Sequence, residues 1–197
     1  CCLLDECFAA RALPCLQTIF FCGEPLRGST VRRLWQRFPG LRIINAYGPT
    51  EATCAISSAE ITPDLAAQEV LPIGRESGEA VDITLSAENR ICLQGTSVAA
   101  GYLNGACFEG RFLTGDLGHF EKEYLWYDGR CDDQIKYKGY RIEPVEIEAA
   151  LTAQPNVQQA VVLPRYDRLG RVVALRALVT TDGTTDEETM REALRHT

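Results

Sequence analysis

Leu41-Arg42-Ile43-Ile44-Asn45-Ala46-Tyr47-Gly48-Pro49-Thr50-Glu51 reads as a short apolar strand running straight into a Gly-Pro turn, then a hydroxyl and a carboxylate. A brief apolar run between turn signals predicts a strand. Just upstream, Pro39-Gly40 ends a helix that the sequence predicts from a cap at Ser29 through Arg37, with Val31, Leu34, Trp35 and Phe38 at helical spacing. Before it, residues 13–21 predict a buried strand closed by the turn at Gly23-Glu24-Pro25. Strand, helix, strand in that order predicts a parallel pair, and ligands of parallel sheets gather at the carboxyl ends of strands. Cys22-Gly23-Glu24 and Asn45 to Glu51 both fall at such ends.

Downstream the texture changes. Short strands broken by glycines are clearest at 81–85, 90–93 and 124–127, and predict a small barrel or an open antiparallel sheet. After Arg130 the pattern becomes strand, helix, strand, strand, helix, over 133–137, 144–153, 157–164, 172–180 and 186–196. Pro144 stands where a first-turn proline is tolerated. Neither repeats nor a low-complexity linker occur, so the boundary is expected to be short and near Cys131-Asp132. The expected class is α/β plus α+β: a parallel-sheet remnant and small β-barrel over 1–131, then a small mixed α+β unit over 132–197.

Three stretches carry chemistry. Asn45 to Thr53 offers an aromatic ring (Tyr47) for a base, a hydroxyl (Thr50) for a phosphate and a carboxylate (Glu51) for Mg2+, an ion that commonly takes one or two carboxylates plus phosphate oxygens. Thr114-Gly115-Asp116 puts a carboxylate after a glycine turn, suited to ribose hydroxyls. Gly129-Arg130, continuing through Asp132, Gln134-Ile135-Lys136 and Gly139-Tyr140-Arg141-Ile142-Glu143, adds cations among glycines for a phosphate or sugar edge. Each has a plainer reading by itself. Tyr47 could be a core aromatic, Thr-Gly-Asp a simple turn, and Arg130 a surface partner of Asp128. Lys136 and Lys138 could be solvated charges, Cys22 mere packing and His119 structural. The three stretches outweigh these readings only together, in their fixed order.

In that order they resemble the adenylate-forming superfamily of acyl-CoA synthetases, luciferases and peptide-synthetase adenylation domains. The finer likeness is to its amino-acid-activating group, in particular the ligases that load D-alanine onto a carrier protein. It rests on Phe20-Phe21-Cys22-Gly23-Glu24-Pro25-Leu26, Tyr47 to Thr53, Gly101-Tyr102-Leu103 and Asp132 to Glu143. The resemblance implies that Tyr47 stacks on adenine, framed by Gly23, Glu24, Pro25 and the backbone at Asn45 and Ala46. Thr50 would bond the α-phosphate of ATP or AMP, Glu51 would hold Mg2+, and Asp116 with Arg130 would grip the ribose. Cys22 and Cys54 would line the amino-acid pocket. Asp132 would be the hinge of a partial lid domain, with Lys136 and the Gly139 loop serving thiol transfer. The implied partners are a small amino acid and the phosphopantetheine thiol of a carrier protein. The first nucleophile is a carboxylate, already ionised, so catalysis rests on positioning and charge balance rather than on a general base.

The same resemblance implies that the chain is a fragment. A Gly- and Ser/Thr-rich phosphate loop and an amino-group-binding aspartate are expected before Cys1, and a catalytic lysine after Thr197. The 197 residues alone are therefore expected not to catalyse adenylation. The segments 86–89 and 105–110 are also short for the family. Two other readings stay open: a peptide-synthetase adenylation domain for another small amino acid, and a non-catalytic module that binds nucleotide or carrier.

Bulk properties narrow the field. A formal net charge of −7 argues against nucleic acid as a partner, and no apolar run is long enough for a membrane helix. Nine cysteines without a Cys-x-x-Cys pair, beside two histidines, fit neither a zinc centre nor a disulfide framework. They are expected to be buried thiols in a reducing cytoplasm.

Overall fold

The computed structural model describes residues 13–76, 78, 80–168, 170–183 and 191. The chain forms two compact units, Cys1–Cys131 and Asp132–Thr197.

In the first unit, β1 (Thr18–Phe21), α1 (Gly28–Arg37) and β2 (Arg42–Tyr47) make the expected strand–helix–strand, with β1 parallel to β2 and Phe21 opposite Asn45. Val31 and Leu34 on α1 are fully covered and pack with Phe38, Leu41, Ile43 and Ile61 into a first core. Burying a side chain of this kind contributes about 2 kcal/mol. Trp35 Nε1 donates to Leu41 O at 2.7 Å and ties the helix to β2.

Ser29 is not the cap. The N-cap is Arg27, without a side-chain hydrogen bond, and Ser29 lies in the first turn with its hydroxyl donating to Glu69 Oε2 at 2.8 Å. Tertiary structure overrides the local signal: the segment before Glu69 lies so close to the helix start that a Cβ on Gly28 would sit 1.8 Å from Gln68 O. Gly28 N then donates to Glu69 O, and Arg32 pairs with the Glu69 carboxylate.

The expected buried strand over 13–21 is shorter and half exposed. β1 stands first in the order β1-β2-β3-β4, so one edge has no neighbour among the described residues, and Phe20 is 53% exposed. β3 (Ser57–Glu60) and β4 (Arg75–Glu76) continue this sheet antiparallel. Between them the sequence reading missed α2 (Pro63–Ala66), whose Thr62 cap accepts from Leu65 N.

A second, open antiparallel sheet follows in the order β5 (Asp82–Leu85), β6 (Arg90–Gln94), β7 (Arg111–Glu121), β8 (Tyr124–Arg130). Thr114-Gly115-Asp116 is not a turn but lies inside β7. Leu113 pairs with Cys92 and Leu117 with Arg90, so the three residues form a bulge against Ile91. Thr114 holds it: Oγ1 donates to Ile91 O at 2.8 Å and accepts from Asp116 N at 3.1 Å. A second core beneath this sheet gathers Tyr47, Ile56, Ile73, Ile83, Ile91, Leu93 and Leu125.

In the second unit, β9 (Ile135–Tyr137) and β10 (Tyr140–Ile142) form a hairpin where the sequence predicted one strand. Its two turn residues, Lys138 (φ 52) and Gly139 (φ 82), are both left-handed, the signature of a type I′ turn. α3 (Pro144–Thr152) packs on β11 (Val157–Tyr166), which pairs antiparallel with β12 (Val172–Thr181). The helix expected over 186–196 lies outside the described residues except for Arg191, which is helical.

The expectation of buried thiols fails. Among the described cysteines Cys92 alone is buried, while Cys15, Cys22, Cys54, Cys107 and Cys131 are exposed, because they stand outside the named strands and helices rather than at core-facing positions.

Candidate nucleotide site

β2, β7 and β8 each bring one side chain to a common point. Tyr47, the last residue of β2, donates its hydroxyl to Asp116 Oδ2 at 2.7 Å. Arg130, the last residue of β8, donates Nη1 to Asp116 Oδ1 at 2.7 Å, and stands directly opposite Asp116 in the ladder. The bulge at 114–116 fixes this register. The cluster is nearly closed to solvent, with Asp116 2% and Tyr47 7% exposed. Burial, then the negative charge of Asp116, pushes the Tyr47 hydroxyl far above the ordinary tyrosine range, so it stays protonated and remains a donor. Arg130 therefore pairs with Asp116 and not with Asp128. Asp128 instead holds His119 Nδ1 at 2.8 Å, and the His119 ring lies parallel to Trp126.

The Gly-Pro turn after Tyr47 is built by a close approach. A Cβ on Gly48 would sit 2.0 Å from Cys54 O, so only glycine lets residues 53–56 fold back over it. Cys54 N donates to Pro49 O and Ile56 N to Tyr47 O. Thr53 (φ 68) and Cys54 (φ 72) are consecutive left-handed residues, a conformation that costs non-glycine residues on the order of 1 kcal/mol each. The turn presents Thr50 to solvent at the head of a 3-10 turn, Thr50–Ala52, and buries Glu51.

Glu51 Oε1 accepts from the Tyr102 hydroxyl. The motif Gly101-Tyr102-Leu103 was visible in the sequence, but nothing there paired Tyr102 with Glu51. Cys22, exposed after β1, donates its thiol to Cys54 O at 3.7 Å, so the two expected pocket cysteines are neighbours. Gly23, Glu24 and Pro25 are exposed beside Cys22. Asn45 and Ala46 are buried, and the Asn45 amide is engaged by the fold, its Nδ2 donating to Pro72 O at 2.8 Å. Asp132 and Lys136 belong to the second unit, where Asp132 Oδ1 accepts from Gln134 N and Lys136 faces Arg141 across the hairpin.

Among the described residues no group of three His, Cys, Asp or Glu side chains could hold a metal by itself. One anchored carboxylate beside an exposed hydroxyl fits an ion that takes its other ligands from phosphate and water, as Mg2+ does.

A buried Tyr–Asp–Arg cluster thus joins the ends of β2 and β8 to the middle of β7, beside a Gly-Pro-Thr-Glu turn. The chain belongs to the AMP-binding enzyme family, which it matches over residues 3–103. It is 41% identical over 200 residues to the D-alanine–D-alanyl carrier protein ligase of Streptococcus equi subsp. equi (strain 4047), covering 90% of this chain and 39% of that protein. The chain thus spans about two fifths of the length of this curated relative. Among solved structures it is similar to the Vibrio cholerae adenylation domain AlmE in complex with glycyl-adenosine-5'-phosphate, at 25% identity and a TM-score of 0.81, over 98% of this chain and 41% of that one. It is also similar to PA1221, a protein containing adenylation and PCP domains, at 27% identity and a TM-score of 0.76, over 95% and 42%. No helix among the described residues is long and apolar enough to cross a membrane.

Proposed function

We propose that this chain serves an ATP-dependent, AMP-forming ligase that activates a small amino acid, D-alanine, and passes it to a carrier-protein thiol. The observation that carries this reading is the meeting of Tyr47, Asp116 and Arg130, which are far apart in sequence, at one buried point beside the Thr50–Glu51 turn. In the first half-reaction an oxygen of the amino-acid carboxylate attacks the α-phosphorus of ATP and pyrophosphate departs. In the second, the carrier thiol attacks the acyl carbon and AMP departs.

Asp116 would accept the ribose hydroxyls. A carboxylate has about four lone-pair sites, so holding Tyr47 and Arg130 leaves it capacity. Arg130 fixes the carboxylate and would reach the same sugar. The Tyr47 ring, locked by its hydroxyl, would set the plane of adenine, with Gly23, Glu24 and Pro25 at its rim. Thr50 would donate to the α-phosphate, and Glu51, steadied by Tyr102, would hold Mg2+, which when bound neutralises phosphate charge. Cys22 and Cys54 would bound the side-chain pocket. Asp132 would be the hinge for thiol transfer, and Lys136 with the Gly139 loop would act in that step.

The test is amino-acid-dependent pyrophosphate exchange by the protein in its full reading frame, across D-alanine, L-alanine and glycine. D-Alanine is expected to give the fastest exchange, and no exchange with any of the three sinks the reading. The likeness to a glycyl-adenylate complex and to an adenylation–PCP protein favours one other outcome, a peptide-synthetase adenylation domain, which faster exchange with glycine would reveal.

A further inference from the structure

The second unit holds an amide whose placement the roles above leave unexplained. Gln134 is 7% exposed and lies between Asp132 and β9. Its backbone N–H donates to Asp132 Oδ1 at 3.3 Å, and its side-chain Nε2 donates to Glu143 Oε1. Ile135 faces Ile142 in the β9–β10 ladder, so Gln134 and Glu143 occupy the next rung, at the base of the hairpin.

Two features mark this contact as built. Glu143 is the N-cap residue of α3, where a negative carboxylate is favoured by the free N–H groups of the first turn. No side-chain cap forms there, and the carboxylate holds Gln134 instead. The second atom of the amide, Gln134 Oε1, is buried without a hydrogen-bond partner among the described residues. Forgoing a cap and burying a bare acceptor are both unfavourable, and buried unsatisfied groups are rare enough to call for a reason.

We propose that Gln134 is a positioning residue, a clamp that ties the base of the Lys136 hairpin and the start of α3 to Asp132. The hairpin has three rungs, and a two-stranded hairpin that short is marginal by itself. With the clamp closed, a change of backbone angle at Asp132 turns hairpin and helix as one body, which is what a hinge step requires. Without it the same change is absorbed as hairpin fraying, and Lys136 arrives out of place. The inference rests on the proposed roles of Asp132 and Lys136 in thiol transfer.

The test uses the protein in its full reading frame, D-alanine and a phosphopantetheinylated carrier protein. Gln134→Met keeps the length and removes the donor. Pyrophosphate exchange is expected to stay within about twofold of the parent, and carrier loading to fall roughly tenfold, as for loss of one charged hydrogen bond. Hydrogen exchange at the β9–β10 amides is expected to speed up by a similar factor. Gln134→Glu sets carboxylate against carboxylate and should do worse. Adding Glu143→Gln restores the bond with the roles reversed, and should return loading and protection to within about threefold of the parent. Unchanged loading and protection in Gln134→Met overturns the clamp, as does a double variant that fails to recover. An equal fall in both half-reactions overturns the positioning role as well. If the parent shows no amino-acid-dependent exchange at all, the proposed function fails, and hydrogen exchange still decides whether the clamp exists.

Discussion

Tyr47→Phe separates the hydroxyl of the buried cluster from its ring. At pH 7 the variant loses one hydrogen bond to a charged acceptor, Asp116 Oδ2 at 2.7 Å, and leaves that carboxylate less well satisfied. The expected destabilisation is about 2 kcal/mol. Its pH dependence is the sharper test. The folded-state pKa of Tyr47 is raised well above the unfolded value of about 10. Its contribution is therefore complete below pH 10 and lost as pH rises, because the unfolded chain gives up a proton that the folded chain keeps. At pH 11 the loss amounts to about 1.4 kcal/mol. The penalty of Tyr47→Phe should shrink from about 2 kcal/mol at pH 7 to about 0.6 kcal/mol at pH 11. All other titrating groups are shared by both proteins and cancel in the difference. Urea unfolding followed through Trp35 and Trp126, which both lie in the first unit, reads this directly. An identical penalty at the two pH values would refute the placement of the Tyr47 hydroxyl in a dry, negatively charged setting.

Asp116→Ala, in the protein in its full reading frame, should raise the apparent KM for ATP roughly tenfold and that for the amino acid far less; pyrophosphate exchange measures both, and equal effects would count against the ribose role. The same change breaks the buried Asp116–Arg130 pair and should cost about 3–5 kcal/mol of stability, so Asp116→Asn, which keeps an acceptor for Tyr47, provides the folded comparison. Gly48→Ala drives a methyl against Cys54 O and should lower the melting temperature of the first unit by about 10 °C or more. A normal melt would mean that residues 53–56 move aside without strain.

Local patterns in the sequence carried the strand–helix–strand unit well, because Val31, Leu34 and Phe38 face one core and their spacing says so. They failed where a distant segment decides the outcome. Ser29 looks like a cap, yet the backbone near Glu69 crosses the helix start and takes the hydroxyl. Thr114-Gly115-Asp116 looks like a turn, because a bulge inside a strand uses the same residues as a bend between strands. The hairpin at 135–142 was hidden for a related reason: Lys138 gives no turn signal, though it adopts one beside Gly139. For the candidate site, residue types and order pointed to a shared location, and the hydrogen bonds from Tyr47 and Arg130 to Asp116 supply what types cannot, the actual joins. The link of Tyr102 to Glu51 was not legible, because it spans 51 positions.

The irregularity in β7 also bears on how this architecture tolerates change. It works as a slip joint: the portion of β7 before it pairs with β6 in one alignment and the portion after it in another. Additions or losses of residues between Leu103 and the start of β7 can be taken up ahead of the joint, while Asp116 keeps its place across from Arg130. Length variation there is thereby uncoupled from the Asp116–Arg130 pairing, whereas Tyr102, earlier in the same connection, keeps its own stretch tied to Glu51.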